Sequence, residues 1–239
     1  MLGVYPENRD GQVFSFFFFL ACLLLFGCYT TGMKVTTKAL WDAVGGLSQP
    51  SKMPGFAYGT PAKRCKVGSI LRGVKGSVCS HCYARKGMYC FPCVARAQEK
   101  RLAILSANLA EWTANMTALL SRKYAKREKV FRWHDSGDLQ SAEHLDAIVT
   151  IANNLPDFQF WLPTKEYALV RSYGKPFPDN LRVRVSAPMI GQAIPPIPGT
   201  VNSTVNAGTG WKCPAPTQGG RCDACRACWS MVNVDYAAH

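Results

Sequence analysis

Seven cysteines in this chain stand at spacings suited to metal chemistry. Cys213, Cys222, Cys225 and Cys228 form C-x8-C-x2-C-x2-C, and four thiolates can close a tetrahedral zinc site or hold a four-iron cluster. A compact CxxCxxC run is how bacterial ferredoxins bring three sulfurs to one cluster, so iron–sulfur is favoured over zinc here. Upstream, Cys79 and Cys82 make a CxxC within GSVCSHCYARKGMYC, and Cys65 precedes them. Two thiolates alone complete no metal site; with Cys65 the group reaches three. The two CxxC pairs, at Cys79 and at Cys225, could instead share one zinc as in a ribbon. Cys90 and Cys93 bracket Phe91 and Pro92 and read equally well as core thiols or as ligands.

The chain has 239 residues, eleven cysteines and a formal net charge of +13. That length suits one domain able to bury a core without crosslinks, and an apolar share of 48% excludes a disordered chain. A basic balance favours anionic partners such as nucleic acid or a nucleotide, although solvated lysine faces give the same total. Residues 13–26, VFSFFFFLACLLLF, are almost wholly apolar, yet shorter than the about 20 residues a spanning helix needs. Arg9 is outweighed by Glu7 and Asp10, unlike the positive start of a secretory signal. Met33 and Lys34 then open an ordinary soluble pattern. The expectation is that Met33 is the biological start and residues 1–32 an apolar upstream extension, with a signal or anchor as its alternative, and a single cytoplasmic domain over residues 33–239. In a reducing compartment the nine cysteines from Cys65 onward are ligands or free thiols rather than disulfides.

These ligands need elements to position them. Residues 33–64 are rich in Gly, Pro and Ser, with a short helix near Lys38 to Val44. Apolar positions at helical spacing over residues 94–122 predict two helices, followed by the basic run SRKYAKREK, which suits a solvated face better than a phosphate strip. VFRWH predicts a strand ending in the turn Asp135-Ser136-Gly137-Asp138. Ser141 caps a helix that Pro156 closes. FQFWL is the next strand, ending in PTKE at residues 163–166, with a short helix around Tyr167 to Tyr173. LRVRVS at residues 181–186 is a third strand, and residues 190–212 read as an extended loop. This alternation predicts an α/β fold, an incomplete (β/α) barrel-like parallel sheet with a C-terminal cysteine-rich segment folding back over it. Loops after strand C-termini carry the site in such folds, which gathers Asp135, Ser136, Asp138, Thr164, Lys165, Glu166 and Ser186 at one rim.

The runs KMPGFAYGTPAKRCKVGS, GSVCSHCYARKGMY, FRWHDSGDL, FWLPTKEY, LRVRVSAPMI and CPAPTQGGRCDACRACW together resemble the phage gene product 88 family over residues 45–239. That resemblance implies a phage or prophage origin more than an activity. More loosely, the chain is similar to radical S-adenosylmethionine enzymes, which hold a four-iron cluster by three cysteines and leave one iron open for the cofactor. On that likeness Cys65, Cys79 and Cys82 would be the ligands, with His81 in place of the aromatic residue before the last cysteine. Ser136, Gly137 and Asp138 would take the methionine amino group, and Thr164, Lys165 and Ser186 would face its carboxylate or ribose. The spacing departs from the usual C-x3-C-x2-C, since Cys65 lies fourteen positions before Cys79; loop closure tolerates that gap, because its cost grows slowly with length.

Each candidate has a plainer role as well. Asp135 and Asp138 suit a turn and a cap, His134 a packed histidine, Lys165 and Glu166 an exposed pair, and Trp133, Trp161 and Trp229 core aromatics. Taken together, the expectation is an iron–sulfur protein of the radical S-adenosylmethionine type. One or two 4Fe-4S clusters, S-adenosylmethionine, and catalytic roles for Asp138, Lys165 and Glu166 belong to it, with a nucleotide or nucleic acid as substrate. The rival is a non-enzymatic zinc module attached to nucleic acid or a protein partner.

Overall fold

Short runs rich in β-branched and aromatic residues become parallel strands in the computed structural model, which describes residues 35–238. The strands are β1 (Phe56–Tyr58), β2 (Val130–Trp133), β3 (Gln159–Thr164), β4 (Leu181–Ser186), β5 (Val201–Val205), β6 (Trp211–Lys212) and β7 (Val234–Tyr236). They form one sheet in the order β1-β2-β3-β4-β5-β7-β6, and every neighbouring pair is parallel. The first five strands follow chain order, as in a barrel left open, so the expected α/β architecture holds.

The two faces of the sheet differ sharply. Phe56, Tyr58, Phe131, Trp133, Phe160, Leu162, Val183 and Val185 are in register on one face and buried in the main core. The helices lie on that face: α1 (Thr37–Ala43), α3 (Pro92–Ala107), α4 (Leu109–Lys123), α5 (Ala142–Asn154) and α6 (Tyr167–Ser172). α5 shows why such segments become helices. Ser141 accepts from the His144 N–H as its N-cap (3.2 Å), and Leu145, Ile148, Val149 and Ala152 make one buried stripe. Leu155 then ends it one residue before Pro156.

The opposite face carries Ala57, Arg132, Trp161, Arg182 and Arg184 in register. The C-terminal cysteine-rich segment folds back over it. Trp229 meets Trp161 edge to face at 5.2 Å and donates its indole N–H to the Phe131 carbonyl (3.0 Å). Arg184, fully buried, donates to five carbonyls, those of Asn202, Val232, Ala227, Cys228 and Ser230, at 2.8–3.3 Å. A single guanidinium thus nails the loop around Cys228 to the sheet.

The stretch at residues 190–212, expected to be a loop throughout, contains β5 and β6. Val201-Asn202-Ser203-Thr204-Val205 hides its strand character because its polar side chains are satisfied across the sheet. Ser203 donates to the Ser186 hydroxyl (3.1 Å) and Thr204 to the Asp235 carboxylate (2.6 Å). No helix among the described residues is long and apolar enough to cross a membrane. The apolar run at residues 13–26 and the question of Met33 lie outside the described residues.

Candidate thiol-rich functional site

Between β1 and α3 the chain makes a long excursion that leaves from the C-terminal end of β1. It holds α2 (Lys66–Leu71) and four short 3-10 turns packed on one another. Cys65 is the residue just before α2, and Cys79 lies in the turn Val78–His81, which Ser77 caps by accepting from the Ser80 N–H (3.0 Å). Ser77 in turn donates to the Leu71 carbonyl (2.5 Å), tying that turn to the end of α2. The sequence distance between Cys65 and Cys79 is therefore spent on a helix that returns. Gly68 lies between the two thiols: a Cβ there would sit 3.6 Å from the Cys79 sulfur and 3.8 Å from that of Cys65.

Cys65, Cys79 and Cys82 lie within one another's electrostatic reach. Burial pushes the Cys65 thiol up to about 12, and Asp138, Cys82, Cys79 and Glu166 add to the rise. Cys79 is also raised, chiefly by burial, against the pull of the Lys165 ammonium. Without a cation Cys65 and Cys79 are held as neutral S–H, and a metal bound there would supply the positive charge that stabilises thiolates.

Cys213, Cys222, Cys225 and Cys228 form a second neighbourhood over the sheet's other face. Cys222 rises through burial and the nearby Cys213 and Cys225, and Cys228 is pushed to about 11 by burial, with Cys213 adding to it. The Cys225 N–H donates to the Cys222 carbonyl (2.8 Å) and the Cys222 N–H to the Lys52 carbonyl (2.9 Å), which shapes the CxxC turn. Cys213 donates to the Asp235 carbonyl (2.9 Å) as an extension of the β6–β7 ladder. The two groups thus sit on different parts of the sheet, the first at its C-terminal rim and the second over the face that Trp229 covers. Cys90 and Cys93 stand apart from both, free and exposed at the start of α3. All nine described cysteines are free thiols.

Among the described residues no set of three or more His, Cys, Asp or Glu side chains is arranged to hold a single metal ion. Ligands of one zinc ion must converge within about 2.3 Å of a point. Thiolates on a cluster each bind a different iron and do not share that point.

The rim residues come together as expected, and most are heavily engaged. Asp138 Oδ1 accepts from the Thr164 hydroxyl (2.6 Å) and the Leu139 N–H (2.8 Å), while Oδ2 accepts from the Lys165 N–H (2.9 Å). Burial nonetheless raises Asp138 to about 6 against those bonds. Thr164 also accepts from the Glu166 N–H (3.0 Å). Glu166 is buried rather than exposed, and its Oε1 accepts from the Val67 N–H (3.1 Å) in the first turn of α2, beside Cys65. Asp138 therefore ties its own turn to the end of β3, and Glu166 clamps the start of α2 beside Cys65. Ser186 lies farther along the rim, accepting from Ser203 through its hydroxyl and from Tyr167 (2.7 Å) through its carbonyl. His81 is exposed. His134 is buried, and its Nδ1–H donates to the Tyr58 carbonyl (3.0 Å). Trp133, Trp161 and Trp229 are core aromatics.

Gly137 has φ +86°, and a Cβ on it would fall 1.9 Å from Thr60 Oγ1. Around that contact three buried oxygens have no hydrogen-bond partner among the described residues: Thr60 Oγ1, Asp135 Oδ1 and Ser136 Oγ. Thr60 was not legible as a site residue, being one Thr in a Gly-Pro-rich stretch. Tyr83, Tyr89 and Arg132 were missed as well. Tyr83 donates to the Asp135 carbonyl (2.6 Å), Tyr89 reaches the Asp135 carboxylate (3.2 Å), and Arg132 donates to the Tyr83 hydroxyl (2.9 Å) while stacking 4.4 Å from the Trp161 ring centre. The signal available was the Tyr directly after Cys82, and an Arg inside an otherwise apolar strand.

No curated protein and no solved structure matches the chain, and the looser likeness to radical S-adenosylmethionine enzymes has no counterpart in these comparisons. A sequence model described as "Gene product 88" matches residues 30–231, which includes both thiol groups and the whole rim. This chain belongs to the gene product 88 family.

Proposed function

We propose that the chain is a redox metalloprotein with two thiol centres, the first of them reactive. The observation that carries this reading is the grouping of Cys65, Cys79 and Cys82, with no fourth thiol beside them among the described residues, at the C-terminal rim of a parallel sheet. Three protein ligands leave a coordination position open, which is the mark of a working site, whereas four close one. Gly68 supports the fit, because a side chain there would fill the space between two of the sulfurs. On this reading those three residues hold a four-iron cluster, and Cys213, Cys222, Cys225 and Cys228 hold a second, closed centre.

A cluster with an open iron supplies one-electron chemistry, including the reductive activation of S-adenosylmethionine. The residues of this chain would do the rest. Thr60, Asp135 and Ser136 offer three unpartnered oxygens to donors such as an amino group. Asp138, Thr164 and Glu166 fix the loops around the thiols, so their part is positioning. Lys165, whose ammonium acts on Cys79, offsets negative charge at the thiolates. An anionic substrate, a nucleotide or nucleic acid, suits the net charge.

Anaerobic purification followed by iron, sulfide and zinc analysis tests the reading, with electron paramagnetic resonance of the reduced protein. The expected result is iron and sulfide in equal amounts, reduced by half in Cys79→Ser, with a signal that changes on adding S-adenosylmethionine. Zinc with neither iron nor sulfide overturns it in favour of a zinc-stapled binding module. Iron with no response to S-adenosylmethionine leaves a cluster protein and removes that cofactor.

A further inference from the structure

The chain has two basic runs, and the fold uses them in opposite ways. Residues 121–129, SRKYAKREK, lead into the N-terminal end of β2, away from the thiol rim. Much of that charge is spent on the fold: Lys123 lies over the Trp41 ring (5.0 Å), Arg127 over Phe56 (5.3 Å), and Lys129 pairs with Asp157 (2.9 Å). The excursion that carries Cys65, Cys79 and Cys82 is different. Residues 63–100 hold Lys63, Arg64, Lys66, Arg72, Lys75, Arg85, Lys86, Arg96 and Lys100 against the single acid Glu99. Eight of these nine cations are exposed. No ion pair among the described residues engages Lys63, Arg72, Lys75, Lys86, Arg96 or Lys100.

The same excursion exposes flat and soft apolar side chains. Phe91 is 54% exposed, Met88 71% and Tyr83 45%. Unpaired cations interleaved with open aromatic faces suit one ligand above others, a strand whose phosphates track the charges while its bases stack on the rings. A lipid surface calls instead for charge and apolar groups segregated on two sides of a helix, and here they alternate along short turns. A duplex offers phosphates but keeps its bases stacked away from such rings.

We infer that the face formed by residues 63–100 binds single-stranded nucleic acid and leads it to the three-thiol site. The binding stands on the charge and aromatic placement; its meaning as a substrate track rests on the reading of the thiol site above. It gives that reading a substrate class.

Fluorescence anisotropy of the full chain with labelled dT16, rU16 and a 16-base-pair DNA duplex tests the inference. Both single strands are expected to bind more tightly than the duplex, and to lose about 100-fold in affinity from 50 to 200 mM salt, as about five phosphate contacts require. Arg72→Glu/Lys86→Glu is expected to weaken dT16 by about 30-fold, and Phe91→Ala by about tenfold. Lys126→Glu/Arg171→Glu, which changes net charge equally at exposed positions elsewhere, should cost less than about threefold. Preference for rU16 over dT16, or the reverse, assigns the strand to RNA or DNA within the inference. Equal losses in the two double variants, tighter duplex binding, or binding to phosphatidylglycerol vesicles in place of oligonucleotide would overturn it. Iron and sulfide measured on the same preparations keep the questions apart: failed strand binding with intact iron sinks this inference alone, and absent iron with intact binding sinks only the thiol reading.

Discussion

Arg132 donates to the hydroxyl of Tyr83 at 2.9 Å, which joins the middle of the second strand to the residue after Cys82. The same guanidinium acts on Cys222 and Cys228 from the other side. Burial alone would pull Arg132 down, but Tyr83, Asp135, Tyr236 and Tyr89 around it hold it above its ordinary value. It is thus a fixed cation between the two thiol groups. Arg132→Gln is expected to destabilise the protein by about 1–2 kcal/mol, since it leaves a partly buried network unpaired. Urea denaturation checks this, and a loss under about 0.5 kcal/mol would show that the network carries no weight.

Arg184 makes a different demand. Its five carbonyl partners are spaced for a planar fork, which an ammonium cannot reproduce. Arg184→Lys should therefore loosen the loop at residues 227–232. If the two proposed centres are present, metal retention at Cys213, Cys222, Cys225 and Cys228 should fall while the Cys65 group keeps its own. Metal per chain, compared with the same change in a Cys79→Ser background, reads that split.

Gly137→Ala asks whether the Ser-Gly-Asp turn is tight for packing. The new methyl would meet Thr60 Oγ1 at 1.9 Å in a left-handed backbone, so a loss of about 3 kcal/mol or more is expected. Thermal unfolding measures it, and a neutral result would mean that β1 and β2 separate more easily than their pairing suggests.

Glu166 separates positioning from chemistry. If it only caps α2 beside Cys65, Glu166→Gln keeps an acceptor for Val67 and costs under about 1 kcal/mol, while Glu166→Ala costs more and speeds modification of Cys65 by a maleimide. A damaged Gln variant would show that the negative charge itself is needed.

Acid should weaken the fold through His134, which burial holds down at about 4, and through His144, which burial holds well below its ordinary value. A base with a lowered folded value binds fewer protons folded than unfolded. Its contribution is therefore present above about 6.5 and lost as pH falls toward 4. For His134 the difference is worth about 3 kcal/mol. Urea midpoints from pH 7 to 4.5 should drop, and less so in His134→Asn, which tolerates the left-handed φ of +65°.

The strands at VFRWH, FQFWL and LRVRVS, the Ser141 cap and the polar rim after each strand were readable because local pattern and fold agree there. β5 and β7 were not, since their polar residues are satisfied only by partners far along the chain, as Thr204 is by Asp235. The thiol spacing identified the two groups of cysteines, and the structure separates them. What spacing could not reveal is that Asp138 and Glu166 face inward to hold loops. Periodicity marks a carboxylate beside Gly or Lys as solvent-facing, and only tertiary contact turns it around. Arg132 and Arg184 were hidden in the same way, as charges inside strands whose second face is covered by a segment 40 or more residues later.

β6 precedes β7 in the chain, yet β7 is its sole neighbour in the sheet and stands between it and β5. During synthesis the first five strands can therefore assemble in order as they emerge, whereas Trp211 and Lys212 have nowhere to dock until residues 234–236 arrive. Cys213, which follows Lys212, waits with them. The second thiol group is therefore the last to be shaped, and a chain truncated before Val234 would lack the strand on which β6 and Cys213 dock.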